Sequence, residues 1–417
     1  MTKCIYSLTD QAIQLLFSKE LADAYRASPK CFTRRRLMGF AEIMGVILNL
    51  SKKSLQLEVD GFMELLDPSM EKPMTKQAFS KARLNILPGA FMKLFETNVH
   101  AMFKDDFFKR FKGWRVFAID GTELQLPKHG NNLPEFRHNS AHSLPHARAS
   151  ILCDALSGFI AHAAIDTTAV GERELAIEHL EYFLHFKTAN DLIVFDRGYP
   201  SKEFIGYLNA NGVKYLMRVP KGFSSVADAS AQRDFTVDVL GTDVRAVRVD
   251  LPSGEAELLF TNLGTDEFKT DEFLSLCHFR WGVEGKYNLL KNKLDIESFS
   301  GRSLHTVLQD FWATMFLANI AAGAKRDADS AIEGEIADGG RKLKYEEYRA
   351  NENLLIGRLK DNFIMILFED DGLKRTILMR KLIDRIASHW VPVRPGRSFP
   401  RRPDSHKRIA NRQRKAL

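Results

Sequence analysis

The run DLIVFDRGY, from Asp191 to Tyr199, constrains the fold more than any other part of this chain. Its apolar stretch is short for a helix and continuous where a half-exposed strand would alternate, so it reads as a strand buried on both faces. Such a strand requires a sheet with helices packed on it. The neighbouring sequence supplies both. WRVFAID, ARASILCDAL and FIAHAAIDTT, the last two joined by a Ser157-Gly158 turn, read as three strands of a meander. A helix is expected at about Glu172 to Phe186, with acids in its first turn. After DRGY comes the helix SKEFIGYLNANG, with Ser201 as N-cap and Gly212 as its stop, then the buried strand VKYLMRV. The order strand, strand, strand, helix, strand, helix, strand predicts an α/β fold built on a mixed sheet flanked by helices.

The flanks have another texture. Through LLFSKELADAYR and RRRLMGFAEIMGVILNL apolar residues recur at helical spacing, so the first hundred or so residues are expected to be all-helical. Residues 221–270 interrupt the α/β order with polar sequence and two alternating segments, VRAVRVDL and EAELLFTNL, which predicts a small β insertion. A long helix is expected from about Asp271 to Leu294 and an apolar one from about Leu304 to Ala324. The polar stretch DADSAIEGEIADGGRK reads as a break before a final helical region that ends near His389. Expected domains are therefore 1–105, an α/β domain 106–330, a helical region 331–390 and a tail 391–417.

Composition narrows the class. Of 417 residues, 45% are hydrophobic and 27% charged, as in ordinary globular proteins. The longest apolar stretches run about 14 residues, short of the ~20 a bilayer requires, and neither a membrane span nor a secretory signal is expected. Cys4, Cys31, Cys153 and Cys277 stand apart with no CxxC pair, which argues against a zinc site or disulfide framework and fits a reducing cytoplasm. The charge is uneven. From Val391 onward nine basic residues (Arg394, Arg397, Arg401, Arg402, Lys407, Arg408, Arg412, Arg414, Lys415) face one acid, Asp404, a local +8 in a chain whose total is +7. A basic tail on a near-neutral body is the footprint of a protein that meets nucleic acid or another polyanion, or of a tail that serves solubility.

Three acids stand out. Asp120 ends the first strand before Gly121-Thr122, and Asp196 occupies the corresponding place before Arg197-Gly198-Tyr199. Ligands gather at strand ends in α/β sheets, although an Asp capping a turn accounts for either one alone. The third acid lies in CHFRWGVEGKYNLLK. At ~100° per residue Glu284 shares a stripe with Arg280, Lys291 and Cys277. A carboxylate between cations suits a metal and phosphate site, and it equally describes a solvated i,i+4 pair. His138, His142 and His146 repeat every four residues, but Pro145 and a Ser/Asn-rich setting favour a loop over a metal site. Trp281 reads as core packing or a base-stacking ring. Arg34, Arg35 and Arg36 read as a nucleic-acid contact or a solvated helix edge.

DGTELQL, DRGY, YLMRV and the helix with Arg280, Glu284 and Lys291 resemble the DDE transposases of bacterial insertion sequences, the group with a Y-x2-R-x3-E-x6-K signature. TKQAFSKAR, LDIESFSGRS, YEEYRANENLLIGRLKD and VPVRPGRSFPR extend the resemblance over most of the chain, weakest in the β insertion. One position departs, since the Tyr slot holds Cys277. That departure puts one auxiliary phosphate contact in doubt.

The resemblance implies a ribonuclease H-like fold with Asp120, Asp196 and Glu284 as catalytic metal ligands, Asp120 bridging two Mg²⁺ ions (Mn²⁺ as the alternative). Arg280 and Lys291 would contact DNA phosphate, joined by Arg197 and the tail cations Arg394, Arg397, Arg401, Arg402, Lys407 and Arg408. It implies an N-terminal domain that binds element ends. The activity would be cleavage of those ends and joining of the 3′-hydroxyl to target DNA, by a homodimer on DNA in the bacterial cytoplasm at the nucleoid, away from membranes. A nuclease without strand transfer, or a transposase-derived DNA-binding protein without activity, are the alternatives. Cys277→Tyr, which restores the signature residue, is expected to be tolerated.

Overall fold

A computed structural model describes residues 3–34, 36–49, 54–69, 72–127, 136, 145–251, 254–339 and 343–394, the side chains at 281 and 282 apart. The elements in chain order begin with six helices, α1 (Lys3–Leu16), α2 (Lys19–Tyr25), α3 (Phe40–Leu48), α4 (Leu55–Leu66), α5 (Lys76–Arg83) and α6 (Gly89–Lys104). The strands β1 (Arg115–Gln125), β2 (His146–Asp154) and β3 (Ile160–Thr167) follow, then α7 (Glu172–Phe183), β4 (Asp191–Phe195), α8 (Lys202–Ala210) and β5 (Lys214–Val219). Next come α9 (Ser225–Ala229), β6 (Asp234–Val239), β7 (Thr242–Asp250), β8 (Ala256–Thr261) and α10 (Phe273–Asn288). The chain closes with α11 (Leu304–Ala337), β9 (Tyr348–Ala350), α12 (Glu352–Leu367), α13 (Gly372–Ala387) and β10 (Trp390–Pro392).

The chain divides into two compact units, and the division is not linear in sequence. One comprises 106–124 and 146–289; the other comprises 1–105, 125–145 and 290–417.

The first unit is an eight-stranded mixed sheet of order β3-β2-β1-β4-β5-β8-β7-β6. β1, β4 and β5 run parallel, β2 and β3 pair antiparallel, and β8, β7 and β6 continue antiparallel from β5. This is the ribonuclease H-like α/β architecture that the resemblance implies. Residues 221–270 are thus an extension of the main sheet. β8 takes up the hydrogen-bonding edge that β5 would otherwise expose, and the additional strand DFTVDV pairs with β7.

DLIVF is buried on both faces, as its composition demands. On one face Val116, Leu192, Val194 and Leu216 pack with Phe273, Leu276 and Cys277 of α10. On the other, the Phe117 ring meets Phe183 of α7 at 4.9 Å and Phe195 meets Phe204 of α8 at 5.2 Å. Ser201 caps α8 by accepting from the Phe204 amide. Gly212, at φ +58°, ends that helix in a left-handed turn.

In the second unit α11 is the central helix, packed against α1, α3, α6, α12 and α13. Apolar residues surround its middle turns, the pattern of a helix buried all round. It runs 34 residues, so the expected break at the polar stretch DADSAIEG does not occur and the expected boundary at 330 falls inside the helix. The acids there have partners. Asp327 accepts from the amides of Cys4 and Ile5, capping α1, and Asp329 accepts from the Ala350 amide and Lys325. The tail begins as structure too, since β10 pairs with β9 across Trp390↔Ala350.

The register of the parallel sheet is pinned at its base. Arg115 and Asp191 face each other in the β1–β4 ladder. They form a buried bidentate pair, Nε to Oδ1 and Nη2 to Oδ2 both at 2.5 Å. Removing one partner strands the other charge in the interior, so Arg115→Met should cost about 3–5 kcal/mol in denaturant unfolding, whereas the double variant Arg115→Met/Asp191→Leu should cost far less. Equal losses in the single and double variants would show that the pair does not act as a unit.

Candidate active site

In the β1–β4 ladder the paired residues run from Arg115↔Asp191 to Ala118↔Val194. Two further residues along that register bring Asp120 opposite Asp196. Strand alternation then places Asp120 on the face of Val116, and Asp196 on the face of Leu192 and Val194, which is the face that α10 covers. Asp120 does not end its strand, as its Gly-Thr sequel suggests; β1 continues to Gln125 and simply outruns β4. Asp196 follows the last residue of β4.

Arg280 ties Asp196 to the third acid. From α10 its Nη1 reaches Glu284 Oε1 at 2.7 Å and its Nε lies 3.7 Å from Asp196 Oδ1. The Arg280 side chain is 7% exposed while Glu284 and Asp196 are 43% and 38% exposed, so the cation is sunk beneath two accessible carboxylates. The Arg280–Glu284 pair therefore differs from a solvated surface pair. Arg280 Nε itself has no hydrogen-bond partner among the described residues.

A second layer supports the first. Arg218 on β5 donates from Nη1 to Asp196 Oδ1 at 3.1 Å and from Nε and Nη2 to the buried Glu257 on β8. Arg197 reaches the same Glu257 with Nη2 at 2.7 Å, its side chain about half exposed. The backbone of Asp120 is also clamped. Its carbonyl accepts from the Tyr287 hydroxyl at 2.7 Å and from Ser150 Oγ at 3.2 Å. Tyr287 lies one helical turn beyond Glu284, so this bond sets α10 against β1.

Behind Ser150, His179 Nε2 lies 2.9 Å from Oγ and His179 Nδ1 lies 2.7 Å from His162 Nδ1. Because Ser150 gives its proton to the carbonyl, His179 donates from Nε2 and accepts at Nδ1. Burial holds both imidazoles neutral, pushing His162 down to about 4.

The Asp120 carboxyl is raised to about 6. Burial is the main cause, the Gly121 amide and Arg280 oppose it, and Asp196 and Glu172 add repulsion. Among the described residues the carboxylate accepts from the Gly121 amide alone, at 2.9 Å. Hard oxygen donors gathered with an excess of negative charge suit a cation such as Mg²⁺. In this arrangement Arg280 stands where Asp196 and Glu284 approach each other, and no group of three His, Cys, Asp or Glu among the described residues is already set to hold one ion.

Other expected residues fall as follows. Lys291 lies in the π-helical turn Leu289–Lys293 that continues α10, so the ideal 3.6-residue spacing does not extend to it. His146 opens β2; His138, His142 and Arg35 lie outside the described residues, while Arg34 and Arg36 are exposed. Arg394 stacks its guanidinium over Tyr345 at 5.1 Å, and Arg397, Arg401, Arg402, Lys407 and Arg408 lie outside the described residues, as does the Trp281 side chain. Among the described residues no helix is long and apolar enough to cross a membrane.

Sequence reasoning passed over Arg218, Glu257, Tyr287 and Glu172. The signals were present, as a charge inside each of two strand-like segments, a tyrosine one turn beyond Glu284, and an acid opening α7.

Cys277 is 8% exposed and packs with Leu276, Phe273 and Val194. The expectation that tyrosine is tolerated there fails on volume. Cys277→Tyr should lose about 1–3 kcal/mol by overpacking, read as a lower melting temperature; an unchanged one would mean that the core opens for the ring.

Asp120 has a second consequence. Its ordinary value is 3.8 and its folded value about 6, so between these pH values the folded state holds the proton more tightly. Its contribution to the stability of the cation-free protein is greatest below 3.8, falls as pH rises to 6 and is level above. Asp120→Asn should therefore raise the melting temperature at pH 7–8 but not near pH 4. Equal shifts at both pH values would argue against a raised carboxyl.

Residues 112–320 match the family described as the transposase DDE domain. No curated protein matches the chain. Among solved structures the chain is similar to the piggyBac transposase synaptic complex with hairpin DNA, at 11% identity and a TM-score of 0.47, over 94% of this chain and 87% of that one.

Proposed function

The chain belongs to the DDE transposase family, and from that premise we propose that it is the transposase of a bacterial insertion sequence, cutting DNA at the element's ends and joining the freed 3′-hydroxyl to target DNA. The observation that carries the reading is Arg280, whose guanidinium joins Asp196 and Glu284 beside Asp120, so that three acids distant in sequence share one place.

Asp120, Asp196 and Glu284 would hold divalent cations, Mg²⁺ or Mn²⁺, two to a site. When bound, such ions supply a strong nucleophile at neutral pH and neutralise charge on the transferring phosphate. The protein's part is placement. The β1–β4 register keeps Asp120 beside Asp196, the Tyr287 bond holds the helix of Glu284 against Asp120, and Arg218 orients Asp196. Arg280 balances the acids and lies next to where a phosphate would enter. Arg197, half exposed, is available to DNA phosphate. Lys291 and the tail from Arg394 onward are assigned the same partner, the N-terminal helices the element end, and the working form a homodimer on DNA in the cytoplasm at the nucleoid.

The departure at Cys277 removes a tyrosine and leaves all three acids, which favours an active enzyme over a DNA-binding derivative. Asp120→Asn, Asp196→Asn and Glu284→Gln should each lower cleavage and strand transfer of labelled element ends by at least about a thousandfold while duplex affinity stays within a few fold. Full activity in any one of the three would overturn the assignment; wild-type protein that cuts but never joins would make it a nuclease.

A further inference from the structure

Both glycines that follow the paired aspartates lie under one carboxylate. A Cβ at Gly121 would lie 3.3 Å from Oε1 of Glu172, and a Cβ at Gly198 would lie 3.4 Å from Oε2. Glu172 thus spans the two segments that carry Asp120 and Asp196, with one oxygen beside each, and a side chain larger than hydrogen at Gly121 would crowd it. Gly121 points to the α7 face by strand alternation, so Glu172 approaches the end of the sheet from the side opposite α10.

A first-turn acid ordinarily serves its own helix, by capping or by opposing the macrodipole. In α7 the capping role is taken, because Glu174 Oε2 accepts from the Gly171 amide at 2.8 Å. Glu172 has no hydrogen bond or ion pair among the described residues, and it adds to the repulsion on Asp120. The independent sign of a ligand is Tyr199, 1% exposed. Its hydroxyl is buried with no hydrogen-bond partner among the described residues and sits in the field of Asp120, Glu172 and Asp196. A buried O–H costs about 1–3 kcal/mol when nothing accepts from it, so one left over among carboxylates marks a place that something else completes.

We propose that Glu172 is a fourth acidic ligand of the site, holding a divalent cation together with Asp120, with the Tyr199 hydroxyl as the donor that orients the assembly. The inference rests on the metal-site reading of Asp120 given above. The three acids of the family motif would then fix the ions from β1, β4 and α10, while Glu172 closes the cluster from α7.

The test is direct binding, not turnover. Mn²⁺ is titrated into the full chain and the free ion is followed by electron paramagnetic resonance, with melting temperature recorded without cation. Glu172→Gln should weaken Mn²⁺ binding by about tenfold or more, as loss of a metal-site carboxylate does, with no fall in cation-free melting temperature. Glu181→Gln, on an exposed position of the same helix, should bind as wild type, and Glu172→Asp, which keeps the charge, should lose less than Gln. If Asp120→Asn loses binding and Glu172→Gln does not, Glu172 is no ligand and the site stands without it. If wild type and Asp120→Asn bind Mn²⁺ equally, the metal-site reading falls as well. A Glu172→Gln chain that melts below wild type without cation would make the carboxylate a structural group and overturn the proposal.

Discussion

The site depends on one buried ion pair five residues below it. Arg115 and Asp191 are the first partners of the parallel β1–β4 ladder, and they bind each other through two bonds inside the protein. A slip of one residue would break both bonds and turn every side chain of the slipped strand to the opposite face, separating Asp120 from Asp196. Apolar residues alone would specify this register weakly, because both faces of the ladder are buried and Val, Ile and Phe suit either. A buried bidentate pair adds little net stability, and fixing register is its best-attested use. The Arg115 guanidinium also lies over the Phe108 ring at 5.1 Å, which holds the fork in place.

Above that anchor the chain faces an electrostatic problem, since acids that must gather also repel. The solution is graded. Glu257 is fully buried and is neutralised by two arginines, Arg197 and Arg218; Arg218 in turn lends one bond to Asp196. Arg280 is buried but serves two exposed acids. Among the described residues Asp120 has no ion-pair partner, and it carries the raised carboxyl. Compensation is therefore least at Asp120, where burial of the carboxyl is itself the main reason that its charge is disfavoured.

The α/β core was legible in the sequence because its signals are local. DLIVF had to be doubly buried, Ser201 and Gly212 had to bound a helix, and Asp120 and Asp196 each closed an apolar run. What escaped was set at long range. DADSAIEG looked like a break because its acids seemed solvated, yet Asp327 caps α1 from more than three hundred positions away and Asp329 holds β9. Residues 221–270 looked self-contained because nothing local says that β8 will pair with β5. Glu257 and Arg218 were each an oddity in a strand, and only pairing explains them. The phase of α10 held for Arg280 and Glu284, where the helix is regular, and loses its meaning in the π-helical turn that holds Lys291.

The treatment of Asp120 separates backbone from side chain. Its carbonyl receives two hydroxyl protons, from Tyr287 and Ser150, and the Ser150 bond is backed by two neutral histidines in series. Ser150 and His179 are fully buried and His162 is partly so, so loosening one leaves an unsatisfied group behind it, and the series resists displacement as a unit. The carboxylate, by contrast, accepts among the described residues only from the amide of the next residue, Gly121. A residue meant for structure would show the reverse, with its side chain satisfied and its backbone left to the ladder. Here the protein spends its hydrogen bonds on where the carboxylate sits and leaves its charge to be met by what binds, which is the division of labour expected of a preorganised ligand rather than of a turn cap.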